Sequence, residues 1–205
     1  MNKWSLRGLI FSALFAGVMI ALSSMKVNLP FSTVPITLQT LAVMLAGSIL
    51  GARYGALAVL IVLGLTAAGF PVLAGRGGIS VLVGPTAGFI WSWPFAAALI
   101  GWFAQRMTQS RYTFAKLLIV NIVFGSLLVY PAGVAWLAHS VPSLDTLYKA
   151  LVAGMLPFLP GDFLKAALCA SVAAGVWKVY PIERIVGSRK ASAWSGSDSS
   201  AVKGQ

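Results

Sequence analysis

Chemistry can be argued first from Asp162 and Lys165, which stand three residues apart in Pro160-Gly161-Asp162-Phe163-Leu164-Lys165. The chain around them is only 9% charged. On a helix that spacing puts a carboxylate and an ammonium on one face, where they can touch. Burying an ionisable group in a membrane segment costs at least ~2.5–3.5 kcal/mol, so such a pair marks a functional site. A competing reading has Asp162 favouring the positive end of a helix while Lys165 snorkels to the interface. The pair offers an acceptor and a donor to a small polar or anionic solute, which is recognition rather than turnover. Turnover finds little support elsewhere. No Gly-x-x-x-x-Gly-Lys-[Ser/Thr] run exists to hydrolyse ATP by the P-loop route, and no His-Glu-x-x-His motif is present. His139 is the sole histidine, beside Ser140 and Pro142, and reads as a loop residue with Asp145 six positions away as a poor orienting partner. Cys169 is the sole cysteine, which excludes an intrachain disulfide and a Cys-rich metal site. No catalytic residues, metal ligands or cofactors are therefore expected.

The elements that must hold the pair are apolar helices. Hydrophobic residues make up 59% of the 205, and the mean hydropathy is +0.88. Soluble domains are about 45–50% apolar and about 25% charged, so the composition is that of an integral membrane protein. Six spans are expected, at 9–25, 38–50, 56–70, 86–103, 117–138 and 156–179. The first follows a short basic segment and loosely resembles a secretory signal, but no soluble domain comes after it. Residues 51–55 read as a short turn, 105–116 as a polar basic loop, and 141–149 as a loop with a short amphipathic turn. Residues 27–35 are Pro-rich and read as extended. Between the third and fourth spans, 71–85 contains Gly75-Arg76-Gly77-Gly78. Its backbone is too polar to face lipid, so a re-entrant or outer Gly-rich loop is expected there. The fold class is thus an all-α integral membrane protein of six transmembrane helices. One domain, 1–186, is followed by a Ser/Gly-rich tail, 187–205, expected to be disordered and cytoplasmic.

Charge placement orients the bundle. With the N-terminus inside, eleven of the fifteen basic residues fall on the inner side, leaving Lys26, Arg76, Lys149 and Lys165. The positive-inside bias favours this topology, with both termini cytoplasmic. Gln39, Arg76, Asp162 and Lys165 then converge at the outer side, as a cup with aromatic walls. Trp102 and Trp177 read instead as interfacial belt residues. In the first span Ala13, Gly17 and Ala21 recur every four residues, a stripe that lets a second helix approach closely. On the stripe alone, packing within this chain is the better reading. A stand-alone secondary transporter competes with a binding subunit. The halves show no convincing internal repeat, however, and the key charges sit at one end of their helices.

Four motifs in order carry a resemblance: Val34-Pro35-Ile36-Thr37-Leu38-Gln39-Thr40, Gly75-Arg76-Gly77-Gly78, Gly84-Pro85-Thr86, and Pro160-Gly161-Asp162-Phe163-Leu164-Lys165. Over about 9–180 the chain closely resembles the BioY family, biotin-specific substrate-binding subunits of energy-coupling-factor transporters. It departs from the family pattern at Ala87 and Phe89. The resemblance implies six helices and high-affinity capture of biotin at the outer face of a bacterial inner membrane. Import would be driven by a membrane coupling subunit and two ATP-binding-cassette ATPases, with no nucleic-acid partner. It also implies that Ala13, Gly17 and Ala21 dock the coupling subunit. The candidate substrate contacts are Asp162, Lys165, Gln39, Arg76, Gly77, Gly78, Thr86 and Tyr130. Asp162 would accept a ureido N–H, and Lys165 would donate to the ureido carbonyl or pair with Asp162. Arg76 would meet the carboxylate, assisted by Gln39 and the Gly77–Gly78 backbone, unless Lys165 and Arg76 exchange roles. A binding subunit for another small anionic vitamin is the remaining alternative.

Overall fold

Long apolar runs can cross a bilayer only if their backbone is satisfied internally, and this chain meets that demand with helices. The computed structural model describes residues 4–27, 36–107, 110–180 and 182. Residues 28–35, which hold part of the Pro-rich segment, and the tail 187–205 lie outside the described residues.

Helix α1, Leu6–Ser23, is capped by Ser5, whose side chain accepts the Gly8 N–H. A two-residue antiparallel pair, β1 Lys26–Val27 with β2 Ile36–Thr37, leads into α2, Gln39–Ala67. After the loop come the one-turn α3, Ile79–Leu82, then α4, Ala87–Ala104, and α5, Thr113–Ile122. A π turn, Val123–Leu127, joins α5 to α6, Val129–Ser140. A 3-10 turn, Pro142–Leu144, precedes α7, Leu147–Gly154, and α8, Leu159–Val179, closes the bundle. Five of the helical runs are long and apolar enough to span a membrane: α1, α2, α4, the continuous run 113–140, and α8.

The 29 residues of α2 are two helices meeting at Gly51, whose φ of 79° and ψ of −179° are not helical. Only glycine adopts that φ without strain. The halves fold back on each other: a Cβ placed on Gly55 would lie 2.8 Å from the Ala46 carbonyl oxygen. The expected turn at 51–55 is thus a single residue, since 52–55 are already helical. The expected loop at 141–149 is corrected likewise, because from Leu147 onward it is helix. His139 is not a loop residue but sits in the last turn of α6, its ring edge-on to Trp136.

Packing follows from which face each helix buries. Helix α1 buries Gly8, Ser12, Ala16, Met19 and Ser23, a stripe at three- and four-residue spacing. Ser12 donates to the Tyr54 carbonyl oxygen at 3.0 Å, tying α1 to the second half of α2. Ala13, Gly17 and Ala21 face away from the chain, and nothing lies within 4 Å of a Cβ placed on Gly17. The packing role first read for that stripe is taken by its neighbours. Trp177 is not a belt residue: it is 2% exposed, and its indole N–H donates to the Ser48 carbonyl oxygen at 3.1 Å. Ser48 also bonds to Asn121, a fully satisfied polar contact between α2 and α5. On the outside, Phe95, Phe163 and Leu164 are more than half exposed, as suits a surface solvated by lipid.

Candidate binding site

Near its N-terminal end α8 sorts its residues by face. Phe163 and Leu164 point out of the bundle, while Asp162 and Lys165 are 7% and 8% exposed and point in. The Lys165 ammonium donates to Asp162 Oδ1 at 2.9 Å and to Thr40 Oγ1 at 3.2 Å. The Tyr130 hydroxyl, from α6, donates to Asp162 Oδ2. Both carboxylate oxygens are therefore engaged, and the pair is braced from α2, α6 and α8 at once. Breaking one partner of a buried pair strands the other, at a cost of about 3–5 kcal/mol. The snorkelling reading of Lys165 does not describe this geometry.

The triad opens on a cavity with an empty volume of about 760 Å³, mouth included. Thr37, Gln39 and Thr40 contribute from the start of α2, and Leu73, Ala74 and Arg76 from the loop. Helix α4 contributes Thr86, Phe89, Ile90 and Trp93, and the 113–140 run contributes Gly125, Ser126, Val129 and Tyr130. Gly154 and Phe158 complete the wall with Asp162 and Lys165. Phe89 meets the Tyr130 ring edge-on at 6.3 Å, so the triad has an aromatic flank.

The loop over this cavity is held at several points. Ser23 Oγ donates to the Val72 carbonyl oxygen at 2.8 Å and accepts the Ala74 N–H at 2.6 Å. Leu73 and Arg76 exchange two backbone hydrogen bonds, closing a tight turn with Ala74 at a φ of 54°. The indoles of Trp91 and Trp136 donate to the carbonyl oxygens of Leu82 and Gly84, both at 2.9 Å. Arg76, fixed through its backbone, keeps an exposed side chain at the cavity wall.

Of the residues expected from sequence, Asp162, Lys165, Gln39, Arg76, Thr86 and Tyr130 come together on this cavity. Gly77 and Gly78 do not line it. Gly77 packs on the Phe70 backbone, and the Gly78 N–H donates to the Thr66 carbonyl oxygen at 2.7 Å. Gln39 accepts from the Thr37 hydroxyl at 2.9 Å. Sequence reading did not place Thr37, Thr40, Phe89, Ile90, Trp93, Ser126 or Phe158 at the site. One signal was present: Thr86, Phe89, Ile90 and Trp93 recur at i, i+3, i+4 and i+7, a single helix face.

The BioY family model matches residues 1–182. The chain belongs to the BioY family. The biotin transporter BioY of Rhizobium etli is 40% identical over 184 residues, 87% of this chain and 97% of that protein. A probable biotin transporter BioY of Bacillus subtilis is 41% identical over 166 residues, 78% of this chain and 85% of that one. Among solved structures, the chain is similar to the S-component for biotin from an ECF-type ABC transporter, solved at 2.1 Å. The TM-score is 0.77 at 33% identity, covering 84% of this chain and 92% of the other. Family membership and five spanning-length helices make the chain a multi-pass membrane transport protein rather than an enzyme.

Proposed function

We propose that this chain captures biotin in the cavity and acts as the substrate-binding subunit of an energy-coupling-factor transporter. The observation that carries the reading is the buried Asp162–Lys165–Tyr130 cluster opening on a cavity walled by aromatic and apolar side chains. It is supported by similarity to relatives named biotin transporters and to a solved S-component for biotin.

In this reading the ureido ring lies against Asp162 and Lys165, inside the bundle. Arg76 receives the carboxylate at the mouth, where its exposed side chain leaves the ligand's charge in contact with water. Burying that charge deeper would add the penalty that the Asp162–Lys165 pair avoids by mutual compensation. Gln39 and Thr86 assist from the wall, while Gly77 and Gly78 shape the loop that carries Arg76. The break at Gly51 makes six crossings from five runs, with the cavity at the outer face and both termini in the cytoplasm of a bacterial inner membrane. Helix α1 presents Ala13, Gly17 and Ala21 to a membrane coupling subunit, which joins this chain to two ABC ATPases.

Isothermal titration of the purified full chain with biotin, with mass spectrometry of any co-purified small molecule, tests the ligand. Saturable binding of biotin is expected. Stable retention of a different small anion, with no biotin binding, overturns the ligand assignment.

A further inference from the structure

Among the described residues, the buried polar side chains are paired almost throughout. Two are not: Trp93 Nε1 and Ser126 Oγ have no hydrogen-bond partner. Each residue is 4% exposed, and each lines the cavity, from α4 and from the π turn respectively. Natural proteins seldom leave buried donors and acceptors stranded, and those that remain call for a cause.

The cause at Ser126 is the local backbone. In a regular helix a serine or threonine hydroxyl donates back to the carbonyl one turn earlier. Thr66, Ser140 and Ser171 do so here, to Val62, Trp136 and Ala167. Ser126 lies inside Val123–Leu127, where the helix widens to π geometry and no such bond forms. Single π turns of this kind occur frequently at functional sites. Trp93 is set apart in the same way: the indoles of Trp91, Trp136 and Trp177 all donate to backbone carbonyls, and that of Trp93 does not.

We propose that Trp93 and Ser126 complete recognition of the ligand's ureido group, Trp93 donating to its carbonyl oxygen and Ser126 accepting one of its N–H groups. This rests on the biotin reading above. A ureido ring brings two N–H donors and one carbonyl oxygen with two lone pairs. Asp162 accepts one N–H, and Lys165 donates to one lone pair. Without further partners, half of the group's hydrogen-bonding capacity would be stranded in a buried site. Ser126 and Trp93 supply the missing acceptor and donor, and the ligand in turn satisfies both.

The test uses the detergent-solubilised full chain, with Trp93→Phe and Ser126→Ala compared with wild type by titration and thermal melting. Each substitution is expected to weaken biotin binding about tenfold. The melting temperature without ligand should stay level or rise, because a stranded polar group has been removed. Desthiobiotin, which keeps the ureido ring, and biotin methyl ester, which lacks the carboxylate, should lose the same factor. Protonated 2-iminobiotin has no acceptor oxygen, so Trp93→Phe should leave its affinity unchanged. Unchanged biotin affinity in both variants, with wild type binding normally, overturns the assignment alone. Loss that vanishes with the methyl ester moves the contact to the carboxylate and also overturns it. A lowered melting temperature with equal loss for every ligand overturns it in favour of a structural role. Failure of wild type itself to bind biotin overturns the parent reading.

Discussion

Each carboxylate oxygen of Asp162 already accepts one hydrogen bond, from Tyr130 and from Lys165, before any ligand arrives. The side chains are therefore fixed in place, and a ligand need not order them on entry. Hydrogen bonds to charged groups contribute roughly 1.5–3 kcal/mol. Asp162→Asn and Lys165→Ala are each expected to weaken biotin binding at least about tenfold, or roughly 1.4 kcal/mol. Because each strands a buried charge, the double variant Asp162→Asn with Lys165→Met is the control that keeps the site neutral and folded. Titration of monodisperse protein decides it, and wild-type affinity in all three would remove the pair from recognition. The pair was legible in sequence because two opposite charges three apart in an apolar run have few other uses. Trp93 and Ser126 were not, since the same residue types nearby find backbone partners and only the fold shows which do not. Trp177 failed for a related reason: an indole serves a membrane interface or a buried carbonyl equally well, and the carbonyl of Ser48 is no sequence signal.

Helix α1 turns one stripe inward and a second outward, and only the outward one consists of Ala13, Gly17 and Ala21. Gly17→Leu meets open space in this chain, so folding and biotin binding by the isolated subunit should be unchanged. If the stripe docks a coupling subunit, the same substitution should abolish uptake in cells that carry the full transporter, because close helix approach needs small residues. Normal uptake would dismiss docking through this face. Spacing alone revealed the small residues but not their direction, which depends on Ser12 and Ala16 reaching α2 first. Helix ends were also harder to read than helix interiors. The single residue Gly51 does the work expected of a five-residue turn, because the halves of α2 approach closely enough at Gly55 to need no loop. Helix α7 lacks the length of a span, and only its first three residues fell within the expected loop; it packs against α6.

At the scale of the whole molecule, the placement of the cavity at the outer face depends on orientation. With Cys169→Ala removing the sole thiol, single cysteines at positions 80 and 188 report it. An impermeant reagent added to intact cells should label position 80, in the exposed α3, and spare position 188. The opposite pattern would invert the bundle and put the cavity on the cytoplasmic side. The sole acidic residue of the 3-10 turn region, Asp145, pairs with Lys149 at 2.8 Å and adds no free charge to that balance. The multi-pass helical character was readable because apolar length is a property of whole segments, which survives errors of several residues at each end. The break at Gly51 also bears on bilayer thickness. Residues 39–50 rise only about 18 Å, against about 31 Å for α8 and about 30 Å of hydrocarbon. This half of α2 is therefore roughly 12 Å shorter than a bilayer's hydrocarbon core. Thr37, Gln39 and Thr40, at the N-terminal end of this half, share the cavity wall with Leu73, Ala74 and Arg76 of the loop. With the cavity at the outer face, as proposed, that shortfall is where a solute would meet Lys165 beneath the level of the headgroups without parting a single acyl chain.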